Sequence, residues 1–128
     1  MSKISVIGAG SVGATIANDL MIQGTASEIV LVDINKQKAF GEALDIYQGA
    51  PFCSPAIVRS GDYAATAGSD IVVITSGMPR KAGQSRLDLA QANVNIIKDI
   101  APQVVKAAPN AKYVIVSNPV DVLTYVFH

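Results

Sequence analysis

The feature that most constrains this chain lies in its first 33 residues. An apolar run (Ile4, Val6, Ile7) leads into Gly8-Ala9-Gly10-Ser11-Val12-Gly13, an apolar-periodic stretch follows, and a second apolar run from Ile29 to Val32 ends on Asp33. Strand, glycine turn, helix, strand and acid in that order are what a dinucleotide grip requires. Gly8 permits a tight turn, Gly10 leaves room for a pyrophosphate to touch the backbone, and Gly13 lets the helix press on the strand. The helix that starts there directs free N–H groups and the positive end of its dipole at phosphates. Asp33 falls 20 residues beyond Gly13, at the carboxyl end of the second strand, where a carboxylate can accept hydrogen bonds from ribose hydroxyls. An ordinary turn whose glycines merely allow a sharp bend is the competing reading, and the complete structural context disfavours it.

Asp33 also favours NAD over NADP. A carboxylate repels a 2′-phosphate, and the next residue is Ile34, not an arginine that could hold one.

At 128 residues the chain, 1–128, reads as one domain, large enough for a real core. Half of it is hydrophobic and the mean hydropathy is +0.36, high for a free-standing domain. No apolar run approaches the roughly 20 residues needed to span a bilayer. Strands buried on both faces account for the excess better. Ten basic residues balance ten acidic ones with no basic block, so nothing points to nucleic acid or to an anionic membrane. The single Cys53 excludes an internal disulfide, and Met1-Ser2-Lys3 leads straight into a strand without a signal-peptide pattern. The reading is cytoplasmic, with no metal expected.

Along the chain, Ser11 to Gln23 reads as a helix with Val12, Ile16 and Leu20 on its apolar face and Gly24 as its stop. Asn35 to Tyr47 is a second helix, capped by Asn35 and striped by Phe40, Ala43, Leu44 and Tyr47. Gly49-Ala50-Pro51 ends it. Ala56 to Arg59 is a short strand followed by the turn cluster Ser60-Gly61-Asp62, and Ala64 to Gly68 allows at most one helical turn. Ile71 to Thr75 is the clearest buried strand. Ser76 to Ser85, rich in Gly, Pro and charge, is a loop. Arg86 to Ala108 is helical with Pro102 forcing a kink or restart, and Tyr113 to Val116 is a fifth strand. Ser117-Asn118-Pro119 turns into a last helix from Val120 to Phe127. The alternation predicts an α/β fold: a doubly wound, Rossmann-type parallel sheet of about five strands in a three-layer αβα sandwich with right-handed crossovers. The last helix has no stop signal before His128, and such folds usually have six strands. Both points favour a piece of a longer protein.

Ligands of open α/β sheets sit beyond the carboxyl ends of the strands. That edge carries Gly8 to Gly13, Asp33, Thr75 to Gly77 and Ser117-Asn118. Arg80 and Arg86, in or beside the loop, and Asn118, at a strand end, could together hold a carboxylate and a carbonyl oxygen, an arginine serving as electrophile for hydride transfer. Plain solvation is the bland account of both arginines, and Asn before Pro is a common turn pair. No internal histidine can act near neutral pH; His128 reads as an exposed end residue. Cys53 lacks a histidine partner and reads as packing. Tyr47, Tyr63, Tyr113 and Tyr125 read as half-buried fillers, with Tyr63 near an adenine end.

With these residues in hand, the sequence resembles the amino-terminal half of the L-lactate/L-malate dehydrogenase family over essentially its whole length. The resemblance rests on Val6 to Gly13, Gly41-Glu42-Ala43-Leu44-Asp45, Gly61-Asp62-Tyr63, the Pro79-to-Leu89 loop and Ser117-Asn118-Pro119-Val120-Asp121. It implies an NAD site lined by Val12, Asp33, Lys38, Tyr63, Gly77, Met78, Asn93 and the Val116, Ser117 and Asn118 backbone, beside Gly8, Gly10 and Gly13. It further implies that Arg86 polarises a substrate carbonyl once the loop closes, that Asn118 hydrogen-bonds the substrate oxygen, and that Arg80 occupies the position that sorts substrates. The substrate class is a small 2-hydroxy or 2-keto acid. In such enzymes a His–Asp pair and a carboxylate-gripping Arg come from the other half, and none has a counterpart here, so this chain is expected to bind coenzyme without catalysing.

Arg80 resembles malate enzymes, in which a guanidinium pairs with the second carboxylate. Arg86-Leu87-Asp88-Leu89 and Val120 to Tyr125 look more like lactate enzymes, and lactate is slightly favoured. Two other classes stay open: a stand-alone nucleotide-binding module, and a methyltransferase using adenosylmethionine, which the Asn118-Pro119 corner and the two-arginine loop disfavour. The Asn35-to-Tyr47 helix carries more apolar surface than one sheet face can hide, so a homo-oligomer, dimer or tetramer, is expected of the full-length form.

Overall fold

The computed structural model describes residues 2–53, 55–77 and 81–128. Five strands alternate with helices: β1 (Lys3–Ile7), α1 (Ser11–Gln23), β2 (Glu28–Val32), α2 (Lys36–Tyr47), β3 (Ile57–Gly61), β4 (Ile71–Ile74), α3 (Arg86–Ala107), β5 (Lys112–Ile115) and α4 (Val120–Phe127). Short 3₁₀ turns cover Ala50–Phe52 and Tyr63–Thr66. The strands form one parallel sheet in the order β3-β2-β1-β4-β5. The chain thus winds outward from β1 to β3 and returns to the opposite side of β1 at β4. The carboxyl ends of β1 and β4 flank the point where the winding reverses, which is where open sheets of this kind open a crevice.

Strand side chains alternate between two cores. Ile4, Val6, Ile29, Leu31, Val58 and Val73 pack with Ala17 and Met21 of α1 and Ala39, Ala43 and Ile46 of α2. Ile7, Val30, Val32, Val72 and Ile74 pack with Ile97, Ile100 and Val104 of α3 and Leu123 of α4. The result is the three-layer sandwich expected from the alternation. One polar pair interrupts the second face. Ser69 donates its hydroxyl to the Thr66 carbonyl at 2.6 Å, which leaves the buried Ser5 hydroxyl to donate to Ser69 Oγ at 2.7 Å.

Several expectations shift by a residue or a face. The side of α1 against the sheet is Gly13, Ala17 and Met21; Ile16 and Leu20 are half-buried beside it, and Val12 is 54% exposed. Small residues let a helix approach a sheet closely, so they, and not the bulky stripe, take the innermost position. The same holds in α2, where Ala39, Ala43 and Ile46 are buried while Phe40, Leu44 and Tyr47 remain exposed. Ser60 and Gly61, read as a turn, extend β3 because they pair with Leu31 and Val32. Pro102 neither breaks nor restarts α3. It lies on an exposed face with Lys98, whose freed carbonyl can be taken by water. Of the four tyrosines, Tyr63 and Tyr113 are half-buried as expected, whereas Tyr47 and Tyr125 are exposed. Tyr113 donates its phenol to the Ala108 carbonyl at 2.6 Å and lies 4.8 Å from the Phe127 ring. Cys53 is half-buried against the first core, in keeping with a packing role, and His128 is exposed.

Candidate functional site

The crevice is built from the first βα corner outward. Gly8 has φ +108°, in the region that favours glycine, and its amide donates to the Val32 carbonyl at 2.7 Å. A Cβ on Gly13 would overlap the Gly8 carbonyl oxygen, so α1 can seat against the corner only with glycine there. Thr75, just past β4, closes the corner from the other side. Its amide donates to the Ile7 carbonyl at 2.9 Å, and its hydroxyl lies 3.1 and 3.2 Å from the Ile7 and Gly8 carbonyls.

At Gly10 nothing stands within 4 Å of where a Cβ would be. Gly10 is also the N-cap of α1, with no side-chain cap and no acidic residue in the first turn. By contrast, Asn35 caps α2 and Ser85 caps α3. The first N–H groups of α1 therefore face open space beside bare backbone, the arrangement that suits an anion.

Two cavities meet at this corner, of about 540 and 550 Å³. Gly10, Thr75 and Gly77 line both, so the two halves form one elongated crevice with the glycine corner as its waist. The first half also takes Val12, Gly13, Asn93, Val116, Ser117 and Asn118. Asn93 is 2% exposed and donates from Nδ2 to the Asn118 carbonyl at 2.6 Å. Ser117 donates its hydroxyl to the Ser76 carbonyl at 2.6 Å. These bonds tie the tip of β5 to α3 and to the segment after β4.

The second half takes Gly8, Asp33, Lys38 and Tyr63. One Asp33 oxygen accepts the Ala9 amide at 2.7 Å and the other accepts the Asn35 amide at 2.9 Å, leaving lone pairs on both for further donors. Lys38 lies 3.9 Å from Glu42 across one helical turn. Burial pushes the Tyr63 phenol above its ordinary pKa, and the Asp99 and Asp33 charges push it further the same way.

The structure thus gathers Gly8, Gly10, Val12, Gly13, Asp33, Lys38, Tyr63, Gly77, Asn93, Val116, Ser117 and Asn118 around one crevice. Arg86 is not brought there: it is exposed at the first position of α3 and lines neither half, although Leu89 on the same helix lines the first. Met78 and Arg80 lie outside the described residues. Sequence reasoning did not single out Leu89, Asn95, Ile96, Asp99 or Ile100 of α3, which complete the walls. Their i, i+3, i+4 spacing marks a helix face, but nothing in the spacing tells which face meets a crevice. Among the described residues no group of acidic, His and Cys side chains could hold a metal ion.

Residues 2–128 match the family model described as lactate/malate dehydrogenase, NAD binding domain. An L-lactate dehydrogenase of Clostridium botulinum is 60% identical over 125 residues, covering 98% of this chain and 39% of that protein. A lactate dehydrogenase from a Medee basin deep-sea metagenome library superposes with TM-score 0.93 at 40% identity, covering 98% of this chain and 40% of its own. The malate dehydrogenase of Archaeoglobus fulgidus, solved in complex with NADH, superposes with TM-score 0.91 at 45% identity, covering 98% of this chain and 43% of its own. The chain spans about two fifths of the length of the relatives it matches.

Proposed function

The chain belongs to the lactate/malate dehydrogenase family, matching its NAD-binding domain, and on that premise we propose that it is the coenzyme-binding part of an NAD-dependent L-2-hydroxy acid dehydrogenase. The observation that carries this reading is the two-lobed crevice with bare backbone at its waist. A pyrophosphate fits against Gly10 and the uncapped start of α1, with one nucleoside in each half. Asp33 and Tyr63 support placing the adenosine in the second half. The nicotinamide then falls in the first half, against Val12 and Asn118.

When bound, NAD supplies the hydride acceptor of an alcohol oxidation. The chain's own residues position and orient. Val12, exposed into the crevice, presents an apolar wall. Asn93 and Ser117 fix the backbone at Asn118, whose amide is proposed to hydrogen-bond the substrate oxygen. Arg86 is proposed to polarise the substrate carbonyl, which requires it to come nearer the crevice than it stands. The proton-transferring His–Asp pair and the carboxylate-gripping Arg of the family have no counterpart among these 128 residues, so the chain alone is proposed to bind coenzyme without turnover.

Lactate is favoured over malate as substrate of the parent enzyme, supported by the 60% identity to an L-lactate dehydrogenase. Malate is the second reading, supported by Arg80 at the substrate-sorting position and by the likeness to a malate dehydrogenase. No described helix is long and apolar enough to cross a membrane, and a cytoplasmic location is proposed. The exposed Phe40, Leu44 and Tyr47 stripe of α2 supports self-association.

The test is titration of the folded chain with NADH, followed by nucleotide fluorescence, together with assays on pyruvate and oxaloacetate. Saturable binding with no turnover is expected. Turnover by the chain alone would overturn the division of labour, and an absence of binding would overturn the function.

A further inference from the structure

Where the proposed adenosine half is walled by β2 on one side, α3 forms the other, and it brings a second carboxylate. Asp33 and Asp99 line the same cavity of about 550 Å³. Among the described residues the only cation lining it is Lys38, which already faces Glu42 at 3.9 Å. Asp99 belongs to an exposed stretch of α3, one turn from the cavity-lining Ile96. Its own hydrogen bond is made by the backbone, whose carbonyl accepts from Gln103 at 2.9 Å.

We propose that Asp99 is a second specificity-determining residue of this site. It would act at a distance with Asp33 to disfavour a dinucleotide carrying a 2′-phosphate relative to one with a free ribose diol. The proposal rests on the dinucleotide reading above and deepens it. A 2′-phosphate brings a charge of about −1.5 to −2 into the cavity. Asp33 would oppose it by direct contact and by charge. Asp99 would oppose it by charge alone, because its helix approaches from the far wall. After burial, which acts first, both carboxylates raise the pKa of one phenol, Tyr63, in agreement with their lining the same cavity. The pyrophosphate charge is common to both coenzymes and cancels in the ratio of their affinities, so the discrimination falls on the 2′-phosphate.

The experiment is paired titration of the folded chain with NADH and NADPH at low and high salt, for the wild type, D99N and D33N/D99N. Asp99 is exposed, so Asp99→Asn is expected to leave the melting temperature unchanged, and any effect on NADH, through the pyrophosphate that both coenzymes carry, should be smaller than the effect on NADPH. NADPH affinity relative to NADH should rise about three- to tenfold at low salt, a gain that shrinks once the Debye length falls well below the size of the cavity. The double variant should discriminate still less. An unchanged NADPH-to-NADH ratio in D99N at low salt, with NADH still bound, overturns the role of Asp99 and leaves the site assignment standing. A wild type that binds neither coenzyme overturns the site assignment, and this inference with it.

Discussion

One carboxylate oxygen of Asp33 accepts the amide N–H of Ala9 across 2.7 Å, joining the tip of β2 to the middle of the glycine turn. The residue proposed to receive the ribose therefore also fixes the corner proposed to receive the pyrophosphate. Two parts of one ligand would meet two ends of one hydrogen-bonded unit, so disturbing either should be felt by both.

Asp33→Ala removes the acceptor of two backbone amides, Ala9 and Asn35. A loss of about 1–3 kcal/mol of stability is expected from the amides left without a protein partner. NADH affinity should fall at least about tenfold, or 1.4 kcal/mol. Thermal melting and fluorescence titration check the two effects. An affinity unchanged in a destabilised variant would mean that Asp33 serves the fold alone.

The glycines at the N-cap and in the first turn of α1, Gly10 and Gly13, should separate fold from function. A Cβ at Gly13 would strike the Gly8 carbonyl oxygen, whereas one at Gly10 meets nothing within 4 Å. Gly13→Ala is expected to cost on the order of 3 kcal/mol or more, since backbone must shift. Gly10→Ala should melt near the wild type yet bind NADH at least about tenfold more weakly, because the methyl occupies the waist of the crevice. If Gly10→Ala binds like the wild type, the pyrophosphate does not lie there.

Tyr63 has a pKa raised from its ordinary value of 10.0 by burial first, then by Asp99 and Asp33. In the unfolded chain the phenol ionises at the ordinary value. Its contribution to stability is thus fully present below about pH 10 and is lost as pH rises through the higher folded-state value. Phenolate absorbance of the native protein should therefore develop above the ordinary range for Tyr63, and for Tyr113, also raised by burial. In D99N one of the two raised transitions should move downward. Spectrophotometric titration reads this directly, and identical curves for wild type and D99N would contradict it.

The buried serine pair makes an asymmetric prediction. Ser5→Ala leaves Ser69 still donating to the Thr66 carbonyl, whereas Ser69→Ala strips the Ser5 hydroxyl of its acceptor. The second should cost about 1–3 kcal/mol and the first less, by the penalty for an unsatisfied buried donor. Denaturant unfolding of both variants checks the order, and equal losses would contradict the assigned direction of the bond.

The exposed stripe of α2 predicts an oligomer contact. Phe40 is 61% exposed, and Leu44 and Tyr47 nearly half exposed, at i, i+4 and i+7, an apolar edge of the kind that associating surfaces carry. F40K/L44K should sediment as a smaller species than the wild type at equal concentration while binding NADH as well. Identical sedimentation would remove α2 from the contact.

The glycine corner, the acid at Asp33 and the parallel αβα sandwich were legible in the sequence because each follows from local chemistry in a fixed order. The helix faces were less so. Hydrophobicity put Val12 on the apolar face of α1 and Phe40 beside Ala43 in the stripe of α2, but Gly13, Ala17, Ala39 and Ala43 lie closest to the sheet, where smallness governs approach. The start of α3 was placed correctly without its cause, the reciprocal bonds between Ser85 and Asp88, which the Ser-x-x-Asp spacing announces. Of the α3 wall of the crevice only Asn93 was named, through the family resemblance; Leu89, Asn95, Ile96, Asp99 and Ile100 could not be read, because they depend on how a long helix is rotated against the sheet. Arg86 was legible as a charge near the crevice, but it stands exposed at the start of α3 and outside the lining.

The most direct test of the central claim is isothermal titration of NADH into the chain, after circular dichroism and a cooperative melt have shown that it is folded. A saturable heat with one coenzyme bound per chain, abolished or much weakened in Gly10→Ala, is expected. Folded protein that gives no saturable heat with either NADH or NAD would contradict the assignment of the crevice to a dinucleotide.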